Sequence, residues 1–421
     1  MVGSFAVLRL RDFRVFAAGY ATSMLGTGMA GVALAFAVLD SGGSPTTLSY
    51  VLAARIVPMV VVLPGAGVLG DRLPRRRVML WADALRAASQ AAIAALFFAG
   101  VPDLWPLLAL AALSGLGEAV FRPSFDGLVP ELADAEHRHE ANALLGLVQS
   151  VANVAGPALA AVLVVVTSPA TVLLVDAVTY LPSIVALLLL RLPRRAPATA
   201  TMGGDLREGW RVFCGLPWLW TLTLQFTFFN LLVWAPYLVL GPVSADAHYG
   251  GAGAWGAIVA VYGAGAIAGG FAVLAWRPSR PLLAATAATL LWAAPSAALA
   301  AQAPLAVVCG AALVAGMVSS VFGTLWMTTI HNHVPAEAMS RVNSYVVFGA
   351  FSVGPIGLAL AGPAAAATSI PAVLAVGVAW QLLSGLVLLT LPAIRDVRAV
   401  RPAPPSPDRV ERATVRSAGT G

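Results

Sequence analysis

Basic residues are missing from every second connector of this chain. Hydrophobic runs divide the sequence into twelve segments long enough to cross a membrane, and six alternate connectors contain neither lysine nor arginine. Cytoplasmic loops of membrane proteins are rich in basic residues, because these are hard to translocate, so the alternation predicts twelve crossings with both termini in the cytoplasm. A soluble fold has no reason to show this pattern. The six connectors without a basic residue read DSGGSPT, GVPD, TSPA, GPVSADAHYGGAG, AQAP and AATSIP.

Composition agrees with a helical membrane protein. Hydrophobic residues make up 59% of the chain and charged residues only 10%, whereas soluble domains carry about a quarter charged residues. A helix needs roughly 20 mostly apolar residues to cross a bilayer. Long apolar blocks such as VANVAGPALAAVLVVV lack the alternation of a transmembrane β-barrel. The spans are predicted near residues 15–39, 47–69, 78–100, 104–124, 141–166, 170–190, 216–240, 254–276, 281–301, 304–329, 343–366 and 370–391.

The longest connector, RLPRRAPATATMGGDLREGWRVFCG, divides the spans into six and six. We predict an N-terminal bundle over 1–190, a cytoplasmic linker over 191–215, a C-terminal bundle over 216–392 and a disordered cytoplasmic tail over 393–421. Duplicated transporter halves leave weak sequence traces. Here the order Val-Pro, Asn, Gly-Pro occurs around the fifth span and again around the eleventh, although chance is an alternative explanation. The expected fold is an all-α integral membrane protein with twelve transmembrane helices in two pseudo-symmetric six-helix bundles.

Two Gly-Pro pairs inside spans predict helix bends. They are Gly156 with Pro157 in the fifth span and Gly354 with Pro355 in the eleventh. Proline removes a backbone donor and clashes with the preceding turn, and glycine lets a neighbouring helix approach. Helices that bend or rock between two halves can open each side of a membrane in turn.

The charge and the residue types exclude several classes of function. The net charge of +6 does not indicate a nucleic-acid partner, because the arginines flank the spans, where they orient the chain and meet lipid headgroups. All 25 basic residues are arginine, and the absence of lysine excludes a Walker A loop and a lysine Schiff base. HExxH and GxSxG are also absent, so we expect no enzyme, no cofactor and no metal site. Cys214 and Cys309 fall at opposite depths and are expected to be free thiols.

A short basic motif follows the second span. It reads GVLGDRLPRRR over residues 67–77 and closely resembles the loop signature of the major facilitator superfamily, G-x-L-A-D-R-x-G-R-[RK]-[RK]. Gly70 and Pro74 depart from that pattern. A purely topological role for the basic run is the alternative. The matching residues are Gly67, Leu69, Asp71, Arg72, Arg75, Arg76 and Arg77.

The resemblance covers about residues 9–392 and implies that the motif latches the cytoplasmic side closed. In the family the motif Asp meets a helix end in the other half, and the arginines pair with an acid near the end of the fourth span. Here this implies Asp71 beside the helix start near 341–343, and Asp126 as the acid. Three further segments, FRPSFDGLVPEL, AGPALA and LVDAVTYL, show a weaker resemblance to exporters of macrolides, siderophores and other amphipathic compounds.

Charged residues well inside the predicted spans occur only in the first half. A charge at the centre of a spanning helix costs about 2.5–3.5 kcal/mol on insertion scales, so each is a functional candidate. Glu118 on the fourth span is the preferred proton carrier, although Arg122, one turn later, could hold it in a structural ion pair. Arg55 on the second span is predicted to lie too far from Glu118 in depth to pair with it, and could attract an anionic substrate group. Structural pairing is the expected role of Asp83, Arg86 and Asp176, on helices that the family resemblance places at the periphery.

One face of the seventh span carries aromatic side chains. At helical spacing, Phe226, Asn230, Trp234 and Tyr237 share this broad face. An apolar wall with few polar groups suits amphipathic organic ligands better than sugars, which need many hydrogen-bonding side chains. Packing against other helices or at the headgroup belt is the alternative.

These observations predict a secondary active exporter that exchanges a small amphipathic organic substrate for protons by alternating access. We expect a monomer in the cell membrane, in contact with the lipid bilayer. Proton-coupled uptake, or a non-transporting sensor on the same fold, are the alternatives.

Overall fold

The computed structural model describes most of the chain, and every regular element in the described part is helical. This confirms the all-α prediction. The described residues are 6–72, 74–100, 103–134, 136–191, 205–335 and 338–399, with side chains described at all of these positions except 63–72, 205–208 and 340.

Six uninterrupted helices form the spans of the first half. The sixth starts with a serine cap, because the Ser168 hydroxyl accepts a hydrogen bond from the Thr171 amide at 3.2 Å. Ser369 caps the twelfth span in the same way, through the Ala372 amide, which supports the pseudo-symmetry of the halves. The six helices are Arg11–Asp40, Pro45–Arg72, Arg75–Phe98, Leu104–Leu132, Arg138–Val166 and Pro169–Leu189.

The spans of the second half are interrupted three times. The eleventh breaks just before Gly354 and Pro355, because a proline cannot supply an amide hydrogen to the preceding turn. The fifth span, in contrast, continues through Gly156 and Pro157. The elements are Pro217–Phe229, a π-helical segment Asn230–Trp234 and Ala235–His248 for the seventh span; Ala252–Ala275 for the eighth; Pro281–Thr289, a 3-10 turn Leu290–Trp292 and Ala293–Ala300 for the ninth; Leu305–His333 for the tenth; Met339–Phe351 and Gly354–Ala367 for the eleventh; and Ile370–Thr390 for the twelfth.

Within the described residues, eleven spans are long and apolar enough to cross a membrane by length and composition alone. The remaining helix, Arg75–Phe98, has 24 residues and is therefore about 36 Å long at about 1.5 Å per residue. It is more polar because it contains Asp83 and Arg86, both buried inside the first half. Its length and its position between the second and fourth spans complete the predicted twelve.

Several helices extend beyond the predicted bounds at one end of the molecule. The fourth span is predicted to end near residue 124, but its helix continues to Leu132 with Pro123 and Pro130 inside it. The apolar window ends where the membrane core ends, whereas the hydrogen-bonded backbone continues past it. We call this end the arginine-rich end, and the opposite end, which carries the six connectors without basic residues, the arginine-poor end.

A buried hydrophobic cluster joins the two halves toward the arginine-poor end. It combines Phe36, Val51 and Val164 from the first half with Trp255 and Ala361 from the second. Close backbone approach accompanies this packing. The Gly362 amide donates a hydrogen bond to Ser49 Oγ at 2.7 Å, which ties the eleventh span to the second.

Toward the arginine-rich end the described buried side chains separate into clusters that each belong to one half. Phe13 and Phe125 belong to the cluster of the first half, and Trp218 and Val342 to that of the second. The two halves are therefore packed together at the arginine-poor end and have separate cores at the arginine-rich end.

The predicted linker and tail contain structure that the sequence reading missed. A short amphipathic helix, Asp205–Cys214, lies in the linker, and the Trp210 ring meets Tyr345 edge-on at 5.3 Å. The predicted tail begins with a helical turn, Pro392–Arg395, in which Ile394 is fully buried. The apolar side chains of both segments explain this order, so disorder from residue 393 onward is corrected for residues 393–399. Residues 400–421 lie outside the described part of the chain.

Candidate functional site

An ion pair connects the second and fourth spans inside the first half. Arg55 Nη2 donates to Glu118 Oε2 at 3.2 Å, with 19% of the arginine side chain and 40% of the glutamate side chain exposed. The predicted separation of these two residues is therefore wrong. That prediction assumed helices of equal length that stand perpendicular to the membrane plane. In the structure, Gly115 has no side chain to keep the Arg55 backbone away. The arginine side chain also reaches several ångströms along a helix.

The residue expected to pair with Glu118 pairs elsewhere. Arg122 Nε lies 3.9 Å from Asp126 Oδ1, one turn further along the fourth span, and both side chains are more than half exposed. Glu118 is thus joined to another helix through Arg55 rather than to its own helix through Arg122.

A second set of charges lies deeper in the same bundle. Arg86 is 1% exposed, its Nη1 lies 3.5 Å from Asp83 Oδ1, and its Nη2 donates to Thr27 Oγ1 at 3.0 Å. The guanidinium also lies over the ring of Tyr180, 4.6 Å from its centroid, a favourable cation–π geometry. The expected pairing of Asp83 with Arg86 is confirmed, but both residues face the interior of the bundle.

The buried charges do not balance. Asp176 is 1% exposed, and its Oδ1 has no hydrogen-bond partner among the described atoms. The fully buried charged groups are thus two carboxyl groups, those of Asp83 and Asp176, and one guanidinium group, that of Arg86, whereas Arg55 and Glu118 are partly exposed. An unbalanced negative charge away from water is costly.

Two motif arginines, Arg75 and Arg76, form hydrogen bonds within the first half. Arg75 Nη1 donates to Glu131 Oε1 at 2.7 Å and to the Gly127 carbonyl at 2.5 Å. Arg76 donates to the carbonyls of Leu188 and Leu190 at the end of the sixth span.

The acid that contacts Arg75 is Glu131, while Asp126 lies beside Arg122; the contact between Asp126 and the motif that the family resemblance implied stays a prediction, because the side chain of Arg72 is outside the described set. The fourth helix continues past Asp126, which brings Glu131 beside the start of the third span. Arg77 is exposed. The eleventh span begins at Met339, slightly before the expected helix start. Gly67, Leu69, Asp71 and Arg72 fall in the segment whose side chains are outside the described set, so the latch to the second half stays a prediction.

A cavity of about 470 Å³ lies within the second half. Phe226, Asn230 and Trp234 line it, as predicted from their shared helical face. Tyr237 does not line it, and is 3% exposed in the core, with its ring centroid 5.5 Å from that of Trp292. The π-helical segment explains this difference, because its Ala235 amide bonds to the Asn230 carbonyl and the wider turn rotates the residues that follow.

Other spans complete the cavity with residues that, apart from Tyr262, a weaker candidate from the sequence, the sequence reading did not select. Trp292 Nε1 and Tyr262 Oη both donate to Ser319 Oγ, at 2.7 and 3.0 Å. The Phe226 and Phe322 rings are nearly parallel, 6.2 Å apart. No periodicity within one helix could have identified this group, because the cavity is assembled across six spans. Its remaining lining includes Phe229, Thr286, Thr289, Trp326, Asn343, Phe351 and Gln381.

Within the described part of the chain, no group of three His, Cys, Asp or Glu residues could hold a metal ion.

Residues 16–358 match the family described as Major Facilitator Superfamily. The chain is 29% identical over 389 residues to the multidrug efflux pump Tap of Mycobacterium tuberculosis, covering 88% of this chain and 91% of that protein. It is 23% identical over 247 residues to macrolide efflux protein A of Streptococcus pyogenes, covering 58% and 60%. Among solved structures, a bacterial homologue of the iron transporter ferroportin in an inward-facing state superposes with a TM-score of 0.71 at 17% identity, covering 90% of this chain and 98% of that one. The nucleoside transporter NupG gives a TM-score of 0.69 at 10% identity, with the same coverage.

Proposed function

The chain belongs to the Major Facilitator Superfamily, and from this membership we propose that it exports amphipathic organic compounds, such as drugs or secondary metabolites, from the cytoplasm. The observation that carries the proposal is the similarity to an efflux pump over nearly the whole length of both chains. The aromatic cavity of the second half supports it, because apolar walls with a few polar groups suit such compounds.

The arginine-rich end faces the cytoplasm, and both termini lie there, in a multi-pass protein of the plasma membrane. The distribution of arginine among the connectors supports this orientation. With this orientation, the halves meet on the outer side and have separate cores on the cytoplasmic side. The structure then corresponds to the state that accepts substrate from the cytoplasm, and rocking of the halves gives the state that releases it outside.

Glu118 carries the proton that drives export. The Arg55 guanidinium and a proton compete for the same carboxylate, since the ion pair at 3.2 Å occupies Glu118 Oε2. Protonation from outside releases Arg55, and its return expels the proton to the cytoplasm. The charge imbalance with Asp83 and Asp176 supports a protonable group in this half. The transporter acts as a monomer, with protons, the small organic substrate and lipid as its partners, and needs no cofactor.

Accumulation of radiolabelled chloramphenicol, an uncharged aromatic drug with hydrogen-bond donors, in inside-out vesicles tests the proposal. Vesicles that contain the protein should accumulate the drug when their lumen is acidic, and a protonophore should abolish the accumulation. Uptake by symport predicts the opposite direction, and a sensor predicts no protein-dependent movement. Either result would refute the proposed export.

A further inference from the structure

The polar atoms of the cavity in the second half are not all satisfied. Thr286 and Gln381 both line this cavity and are each 1% exposed. The hydroxyl of Thr286 and the Oε1 atom of Gln381 have no hydrogen-bond partner among the described atoms. A buried polar atom without a partner is costly, so these two atoms mark a place where a ligand could supply one.

The hydrogen bond between Gln381 and Thr289 shows that the unpartnered atom of the Gln381 side chain is an acceptor. Gln381 Nε2 donates to the Thr289 carbonyl at 2.8 Å. A carbonyl oxygen only accepts hydrogen bonds, so the amide nitrogen must face it and Oε1 is left as an acceptor. Thr289 Oγ1 in turn donates to the Thr286 carbonyl, so hydrogen bonds connect Gln381 on the twelfth span to the turn of the ninth span that carries Thr286. A ligand there must present a hydrogen-bond donor to Gln381.

The rest of the wall favours an uncharged aromatic group. None of the described residues that line the cavity carries a formal charge, and an unpaired charge away from water is costly. The Trp292 ring stands edge-on to Phe229 at 5.0 Å and to Trp234 at 5.4 Å. Such rings contact another aromatic ring favourably.

We infer that this cavity binds an uncharged aromatic group that carries a hydrogen-bond donor, such as a phenol. Gln381 Oε1 accepts the hydrogen bond from this group, and the Thr286 hydroxyl contributes a further hydrogen bond to it. The inference deepens the proposed export function and rests on it for its role in the cell. It assigns selectivity to the ninth and twelfth spans, in addition to the aromatic face of the seventh.

A matched pair of probes tests the inference. Tritium-labelled 2-naphthol carries the donor, and 2-methoxynaphthalene has the same ring system without it. Binding to the purified protein in lipid nanodiscs gives the ratio of the two dissociation constants. Empty nanodiscs correct for partition into lipid. We expect the wild type to favour 2-naphthol about tenfold, since a buried acceptor left unpartnered costs on the order of 1 kcal/mol or more.

Two variants assign the preference to residues. In Gln381→Met the ratio should fall to about one, because the acceptor is gone. Thr286→Val should lower it in the same direction. Gln149→Met makes the same chemical change in the first half and should keep the wild-type ratio. The ratio does not depend on the folded fraction, because both probes report on the same sample.

Several results would overturn the inference. They are a wild type without the preference, a Gln381→Met variant that keeps it, or a Gln149→Met variant that loses it. Binding of 2-naphthoate or 2-naphthylmethylammonium as tight as that of 2-naphthol would overturn the requirement for an uncharged group. This experiment measures binding and not transport. A negative binding result therefore does not refute the export proposal, and a negative vesicle test does not refute the binding result.

Discussion

Arg55 on the second span and Glu118 on the fourth form an ion pair at 3.2 Å inside the first half. Gly115 makes it possible, because a side chain at that position would collide with the Arg55 backbone. The pair links the second helix to the fourth, and in the proposed mechanism its breaking on protonation of Glu118 frees these two helices to shift.

Replacing Glu118 by Gln should uncouple export from the proton gradient. The amide has nearly the same shape but cannot exchange a proton, so accumulation of chloramphenicol at a pH difference of one should fall by about tenfold per coupled proton, the factor that corresponds to about 1.4 kcal/mol. Accumulation in inside-out vesicles measures this. Glu136→Gln, at an exposed site, is the control. Undiminished accumulation in Glu118→Gln would remove Glu118 as the carrier.

Replacing Arg86 by Met should destabilise the protein strongly. The change leaves Asp83, which is fully buried, without its cation, and breaking a buried ion pair from one side costs about 3–5 kcal/mol. Denaturation of the purified protein should show the loss. The double variant Asp83→Asn with Arg86→Met should regain a large part of it. If the double variant is no more stable than the single one, the pair is not the source of the loss.

Replacing Arg75 by Ala should weaken the contact between the third and fourth spans and lower the thermal stability of the protein. It removes hydrogen bonds to Glu131 and to the Gly127 carbonyl, each worth about 1.5–3 kcal/mol where a charged group takes part. The thermal midpoint should fall, while the exposed Arg77→Ala serves as the control. Equal midpoints for the two variants would show that the basic run only sets topology.

Replacing Gly362 by Val should open the arginine-poor end. A side chain at this position would meet Ser49 Oγ and the Pro45 carbonyl, which forces the eleventh span away from the second. Spin labels at Ser44 and Ala367, in a background without Cys214 and Cys309, should report a longer distance. Gly310→Val, where a side chain would meet open space, should leave the distance unchanged. An unchanged distance in Gly362→Val would mean that this contact does not hold the halves together.

The sequence predicts the twelve spans and their orientation because these features depend on which residues enter the membrane and which stay in water. Long apolar runs and the sidedness of arginine locate the spans, and charges inside apolar runs identify Glu118 and Arg55 as unusual. The same logic identified the aromatic face up to Trp234.

What the sequence could not predict depends on contacts between helices or on local departures from ideal geometry. Counting residues along ideal helices places Arg55 and Glu118 at different depths in the membrane. In the structure the close helix approach at Gly115 and the long side chain of Arg55 bring the two charged groups together. The π-helical turn moved Tyr237 into the core without a recognisable sequence signal. Trp292 and Gln381 enter the cavity from spans whose own periodicity gives no reason to select them.

Proton movement driven by the substrate tests the central claim most directly. Liposomes that contain the purified protein are loaded with chloramphenicol and a pH-sensitive dye, then diluted, with valinomycin and equal potassium on both sides, so that the drug leaves down its gradient. Exchange for protons predicts that the lumen acidifies as chloramphenicol leaves, and that Glu118→Gln and protein-free liposomes do not show this acidification. Protein-dependent loss of chloramphenicol without any change in luminal pH would contradict the account.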